Sequence, residues 1–256
     1  MSPALLWSFA RQELLDRYAG SALGFAWAFV QPLFMMLIYV LIFGQLMGAR
    51  LPGVGSSYGY ALYLMAGMLS WTAFSNTLAR TASVFVDKKA ILSKVGLALT
   101  TLPLFIVLAE AVTFAIGLAL LAALMVVAGQ APGRDVWALP WVFLLQQMLA
   151  LGLGLVLAVF NVFLRDVREA VALGVQLWFW FTPIVWAPQA VPPELYGLLR
   201  AINPMVAVVN SYQTVALDAG RPDYAQLSWV AVLAGLALAA GYALVRRMEK
   251  DIRDVI

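Results

Sequence analysis

Asn161-Val162-Phe163-Leu164-Arg165-Asp166-Val167-Arg168-Glu169-Ala170-Val171-Ala172-Leu173-Gly174-Val175-Gln176-Leu177-Trp178-Phe179-Trp180-Phe181-Thr182-Pro183-Ile184-Val185-Trp186 joins a tight charged knot to an apolar run crowded with Trp and Phe. A charged side chain at the centre of a bilayer costs about 2.5–3.5 kcal/mol on insertion scales, so the knot belongs at an interface or inside protein. The stretch therefore reads as a membrane helix ending at 163, a turn at the water surface, and an aromatic helix going back in. That reading predicts an all-α integral membrane protein.

The rest of the chain agrees. Of its 256 residues 64% are hydrophobic and 11% charged, against roughly 25% charged in a soluble domain. There is no Cys and no His, which excludes thiol chemistry, disulfides and the usual zinc ligand sets. The start reads as uncleaved, because mixed residues with Arg11, Glu13, Asp16 and Arg17 precede an apolar run too long for a signal sequence.

A span needs about 20 mostly apolar residues, and runs of that kind fall near 25–47, 60–84, 101–128, 139–163, 170–186 and 227–245. Six spans place both termini on one side. The basic residues Arg11, Arg17, Arg80, Lys88, Lys89, Lys94, Arg165, Arg168, Arg246, Arg247, Lys250 and Arg253 lie on that side, and only Arg50, Arg134, Arg200 and Arg221 lie on the other. By the positive-inside rule both termini are cytoplasmic.

Residues 1–22 read as an interfacial helix, with Trp7, Ala10, Leu14 and Tyr18 on one stripe and Gln12, Glu13 and Asp16 mostly opposite. The other reading is a loose tail. Gly20 and Gly24 have the spacing for close helix approach, as do Gly152, Gly154, Gly235 and Gly241, and Pro32 removes a backbone bond from the first span. Segment 85–99 is too polar to span. It reads either as one short helix with Asp87 at its cap, crossing the cytoplasmic face to receive force from a motor, or as a basic loop that sets topology. Glu110 is the one ionisable residue well inside a span, with Gln146 or Gln147 as its expected partner. It is either a functional group or a packing hydrogen bond. Segment 187–224 carries Pro188, Pro192, Pro193, Pro204 and Pro222. Pro193-Glu194 opens one short helix, and Asn203-Pro204, an N-cap followed by Pro, opens another to about Leu217. Runs this short are more often re-entrant or interfacial than spanning, so they read as two gate helices between spans five and six, or as a folded outer loop.

Leu23-Gly24 with Trp27, Gln31-Pro32, Phe43-Gly44, Phe163-Leu164-Arg165-Asp166-Val167, Phe181-Thr182-Pro183-Ile184 and Asn203-Pro204 occur in this order over most of the chain. The ordered set resembles the ABC-2-type permeases of the polysaccharide and polyol-phosphate export group, the O-antigen exporters first, with teichoic acid and capsule exporters related. The resemblance implies a transmembrane domain over 23–256 that forms a homodimer with two copies of an ABC ATPase in the bacterial cytoplasmic membrane. It implies a lipid-linked polysaccharide as substrate, with membrane lipid but no nucleic acid as further company. It also implies that Asp87, Lys88, Lys89, Ile91, Lys94, Arg165, Asp166 and Arg168 couple to the ATPase. Tyr39, Phe43, Trp178, Phe179, Trp180, Phe181 and Tyr212 are then the candidates for the translocation path.

No Gly-x-x-x-x-Gly-Lys-Ser/Thr loop is present, so this chain needs no cofactor of its own and ATP with Mg belongs on the partner. Independently of family, Trp178, Phe179, Trp180 and Phe181 cover every face of a helix at about 100° per residue. At most two of them can face a channel, where flat rings would let a sugar chain slide. The rest are an aromatic belt and core. Three other functions compete: an ABC-2 permease for a drug, lipid or small molecule, a stand-alone secondary transporter using Glu110, and an intramembrane enzyme, which a single mid-span carboxylate supports poorly. The topology has a direct check, since the chain is its own cysteine-free background. In intact cells Val255→Cys should resist a membrane-impermeant thiol reagent and Gly133→Cys should react; labelling of position 255 from outside would overturn the six-span reading.

Overall fold

The computed structural model describes residues 3–46, 58–92, 98–130, 133 and 135–255, apart from the side chains of 43–46. Every regular element among them is helical. In chain order these are α1 (Pro3–Arg17), α2 (Trp27–Ile38), α3 (Gly59–Asp87), α4 (Lys89–Leu92), α5 (Leu104–Val127), α6 (Leu139–Phe163), α7 (Val167–Trp180), α8 (Pro193–Ile202), α9 (Pro204–Ala216), α10 (Tyr224–Arg247) and α11 (Glu249–Val255). A 3₁₀ turn at Gly24–Ala26 leads into α2, which contains Pro32 and continues as a π-helix over Tyr39–Leu46.

Four helical stretches among the described residues are long and apolar enough to cross a membrane: Gly24–Ile42, Leu104–Val127, Val136–Phe163 and Tyr224–Arg247. The other two expected runs differ for physical reasons. At 29 residues α3 is long enough, about 43 Å, but its polar residues Ser70, Thr77, Thr81 and Ser83 lower its apolar character and are all buried. By contrast α7 has only 14 residues, about 21 Å. It stops at Trp180, and the rest of the 170–186 run turns with Thr182, Pro183 and Ile184 buried. The expected helix near 85–99 is divided: residues 85–87 finish α3, α4 takes Lys89–Leu92, and 93–97 lie outside the described residues.

The central helix is α6. On one side it meets α3 through a polar seam, with Ser70 Oγ to Gln146 Oε1 at 3.3 Å, Thr77 Oγ1 to Gln147 Oε1 at 2.6 Å and Asn161 Nδ2 to the Ala82 carbonyl at 3.0 Å. On the other side it meets α10 so closely that a Cβ on Gly152 would lie 2.4 Å from Leu238 N, and one on Gly241 would lie 2.6 Å from the Gly152 carbonyl oxygen. Gly154 is pressed in the same way against Thr81. Close approach at Gly152, Gly154 and Gly241 is therefore real. Gly235 has nothing within 4 Å of a Cβ and does not share it. Gly20 and Gly24 do not either: at φ +78° and +51° with open space around them, they are turn glycines serving the break between α1 and α2.

Two apolar cores result. One lies around α3, α6 and α9, with Phe74, Leu149 and Tyr212; the other joins α1, α5 and α6 with Phe85, Phe105, Leu155 and Ile252. Gly152→Ala should separate α6 from α10. Ala gains up to about 1 kcal/mol in helix propensity, but the clash is with backbone that cannot move aside, so a net loss of about 1–3 kcal/mol is expected. Gly235→Ala should be neutral or slightly stabilising. Thermal unfolding of the two purified variants should separate them.

Candidate functional site

α1 is held to the bundle by buried charge. Glu13, only 7% exposed, pairs with Arg80 of α3 at 2.6 Å and with Lys88 just beyond it at 3.1 Å. One turn along α1, Arg17 pairs with Glu110 of α5 at 2.5 Å, and the second Glu110 oxygen accepts from Thr113 Oγ1 at 3.1 Å. Phe9 packs on Phe105, and the Lys88 ammonium lies 5.4 Å from the same ring. The expected stripe is corrected here. Ala10 and Leu14 are buried against the bundle while Trp7 of the same stripe is exposed, and Glu13 faces inward because α3 brings two cations to it.

Glu110 is corrected as well. Its partner is Arg17 rather than Gln146 or Gln147. Gln146 accepts from Ser70, and Gln147 accepts from Thr77 while its amide donates to the Ala73 carbonyl at 3.3 Å. Arg17, Arg80, Glu110 and Thr113 form the polar end of a cavity of about 500 Å³ between α2, α3 and α5, whose other lining includes Tyr39, Met65 and Phe114.

Among the coupling candidates the structure joins Asp87 to Arg168 at 3.6 Å, which ties the α3–α4 junction to the knot between α6 and α7. Asp87 does not cap a helix start. It is the last residue of α3 and accepts from Ser83 Oγ at 2.5 Å. Lys88 is committed to Glu13, whereas Lys89, Arg165 and Asp166 are exposed and Ile91 is half-buried. Lys94 lies outside the described residues, as does the side chain of Phe43.

The aromatic run divides. Trp178 and Phe179 are half-buried: Trp178 makes edge contacts with Phe74 and Trp71, and Phe179 with Trp71. Trp180 and Phe181 are 60% and 59% exposed. Tyr212 is in the core, 1% exposed, with its ring edge on Phe114. The end of α7 is fixed by Asn203. Its side-chain oxygen caps α9 at Met205 N (3.0 Å), as the Asn-Pro motif predicts, and also accepts from Trp178 Nε1 at 2.8 Å. Its amide donates to the Phe181 carbonyl at 3.0 Å and to Thr182 Oγ1 at 3.1 Å. Sequence reading found the two motifs but not this bond between them. It also missed the roles of Glu13, Arg17 and Arg80, whose only signal was charge beside a span.

Residues 4–217 match the family model described as ABC-2 type transporter. The O-antigen export system permease protein RfbA of Myxococcus xanthus is 32% identical over 253 residues, covering 98% of this chain and 95% of its own. A Klebsiella pneumoniae protein of the same name is 24% identical over 253 residues with the same coverage. The polysialic acid transport protein KpsM of Escherichia coli is 20% identical over 242 residues, 93% of this chain and 91% of its own.

Removing one member of a buried ion pair leaves an uncompensated charge, at a cost of about 3–5 kcal/mol. Glu110→Leu alone should therefore lower the thermal midpoint of the purified protein more than Glu110→Leu combined with Arg17→Met, which removes both charges. A double variant as unstable as the sum of the singles would show that the two side chains act independently.

Proposed function

The chain belongs to the ABC-2 type transporter family, and from that premise we propose that it is the membrane-spanning permease subunit of an exporter that moves a lipid-linked, O-antigen-like polysaccharide across the bacterial cytoplasmic membrane. The observation that carries the reading is the end-to-end similarity to an O-antigen export permease, 32% identity over 98% of the chain. A transport subunit of this kind leaves ATP hydrolysis, with its Mg, to a separate partner.

In this proposal α3 is the second span, its polar face turned to α6, and α7 with the turn that follows is a partial fifth span. The twelve basic residues grouped on one side favour cytoplasmic termini. The ATPase docks where Asp87 and Arg168 meet, against the exposed Lys89, Arg165 and Asp166, with Ile91 and Lys94 in the same segment. Two copies of the chain pair through helices that are unburied here: the apolar stretch Gly24–Ile42 is only 6% buried, and Leu173, Leu177 and Trp180 project from α7 at about 60% exposure. The glycan passes between the copies, sliding on Trp180 and Phe181, with Tyr39 and Phe43 on α2 and its π-helical continuation. α8 and α9 form the outer gate, α9 anchored to the aromatic run through Asn203. Glu110, held by Arg17 and Thr113, is a structural anchor in this scheme, which weighs against a proton-driven carrier.

Deletion of the chain should remove the surface glycan, and complementation with Trp180→Ala or Phe181→Ala should restore a normal amount of assembled complex but several-fold less glycan. Trp178→Ala should instead lower the amount of folded protein, because it loses the Asn203 bond and ring contacts worth roughly 3 kcal/mol. Equal loss of protein in all three would leave the aromatics as core only.

A further inference from the structure

The cavity of about 500 Å³ between α2, α3 and α5 carries a gradient of polarity along its α3 wall. Arg80, Asn76, Thr72 and Met68 all line it and follow one another at intervals of four residues, on one stripe of the helix. Each interval is about 6 Å at ~1.5 Å per residue, so the wall passes from charge to amide to hydroxyl to thioether over about 18 Å. That is close to one leaflet, half of a bilayer of about 40–45 Å with its headgroups. The other walls grade in the same sense. α2 passes from Gln31 to Met35 and Met36, and α5 from Glu110 through Thr113 to Phe114.

The polar groups on this gradient are open to the cavity and unspent. Gln31 and Thr72 are exposed and Asn76 is half-buried, and among the described residues none of these three side chains makes a hydrogen bond. In hydrocarbon an amide or hydroxyl without a partner costs about 2–7 kcal/mol, so three of them facing one cavity call for acceptors inside it. The guanidiniums keep capacity as well. Arg17 and Arg80 pair with Glu110 and Glu13, yet their side chains stay 17% and 33% exposed. The ion pairs at this end join Arg17, Arg80 and Lys88 to only two carboxylates, Glu13 and Glu110, which leaves one positive charge. Of the other acids nearby, Asp87 is matched by Arg168, and Asp16 lines the neighbouring cavity rather than this one.

We propose that this cavity binds one glycerophospholipid of the cytoplasmic leaflet. The phosphate meets Arg17 and Arg80, and the ester carbonyls accept from Asn76 Nδ2, Thr72 Oγ1 and Gln31 Nε2. One acyl chain lies along Met35, Met36, Met65 and Met68, whose flexible thioethers adapt to an irregular apolar shape. A sugar has no use for the thioether end, and a polyprenyl phosphate lacks the carbonyls that the amide and hydroxyl rungs require. The site is thus separate from the glycan path on Trp180 and Phe181 and does not depend on it. It also gives the first span a hold on the bundle: the stretch Gly24–Ile42 is only 6% buried, and the lipid ties its α2 part to α3 and α5.

The test uses the full chain purified in detergent, with retained lipid counted by native mass spectrometry. The wild type should keep a single phosphatidylethanolamine per chain, and the double variant Thr72→Val, Asn76→Leu should bind it at least tenfold more weakly, as the loss of one to two hydrogen bonds requires. Added phosphatidylethanolamine should raise the thermal midpoint of the wild type, because a ligand of the folded state alone stabilises it, and leave the double variant unmoved. A phosphatidylethanolamine with a diazirine at the end of one acyl chain should label the wild type at Met35, Met36, Met65 or Met68, which locates the site without any variant. Undecaprenyl phosphate should not compete for that labelling. Equal binding by variant and wild type, labelling spread over the lipid-facing side of α10, competition by undecaprenyl phosphate, or a wild type with neither retained lipid nor labelling at these methionines would each overturn the proposal.

Discussion

The seam between α3 and α6 holds the bundle together in surroundings where burial of apolar surface gives little. Lipid is as apolar as leucine, so helices associate through close packing and hydrogen bonds. Along this seam Ser70, Thr77, Gln146, Gln147 and Asn161 bond across two helices. Interhelical bonds of this kind contribute about 0.6 kcal/mol each, up to roughly 2. They also fix register, because a slip of one residue would leave hydroxyls and amides unsatisfied in an apolar medium. On its far side α6 presents Gly152 to α10, and α10 presents Gly241 in return, so the two backbones come close. One helix is thus glued on one face and shaved on the other, and the remaining elements are placed against that pair.

What is placed there has two unlike ends. At one end charge does the work: Glu13 and Arg17 fasten α1, and Asp87 with Arg168 joins the junction after α3 to the knot before α7. At the other end neutral hydrogen bonds do it, through Asn203 and the carbonyls of the Pro183–Trp186 turn. α7 runs between the two, a single helix of 14 residues with Arg168 near one end and Trp180 at the other.

The elements that were legible in the sequence are those written in local pattern. The long apolar helices, the charged turn at 164–166 and the Asn203-Pro204 helix start all follow from composition and capping over a few residues. Partnerships across the chain were not legible. Glu110 has Gln146 and Gln147 in a neighbouring span, and nothing in its own surroundings points to Arg17, 93 residues away. Glu13 looked like the outer face of an amphipathic helix because periodicity carries no information about two cations arriving from α3. Four consecutive aromatic residues cannot share a face, so the run had to divide. Which two stay exposed depended on where Trp71 and Phe74 of α3 sit. Gly20, Gly24 and Gly235 show the limit of a spacing rule: the same small residue serves a turn, a crossing or neither, and only the neighbour decides.

The bracket formed by α1 also imposes an order on biosynthesis. Glu13 and Arg17 leave the ribosome before their partners, which are far down the chain: Arg80 and Lys88 at the end of α3, and Glu110, 93 residues beyond Arg17, inside α5. At about 5–20 residues per second of synthesis, Arg17 waits roughly 5–20 s for its counter-ion. Through that interval the amino-terminal helix has to stay at the water surface, where both charges are hydrated. It can dock only after the helix bearing Glu110 has entered the bilayer. The segment is therefore made before its partners and finds its place only after α5 does.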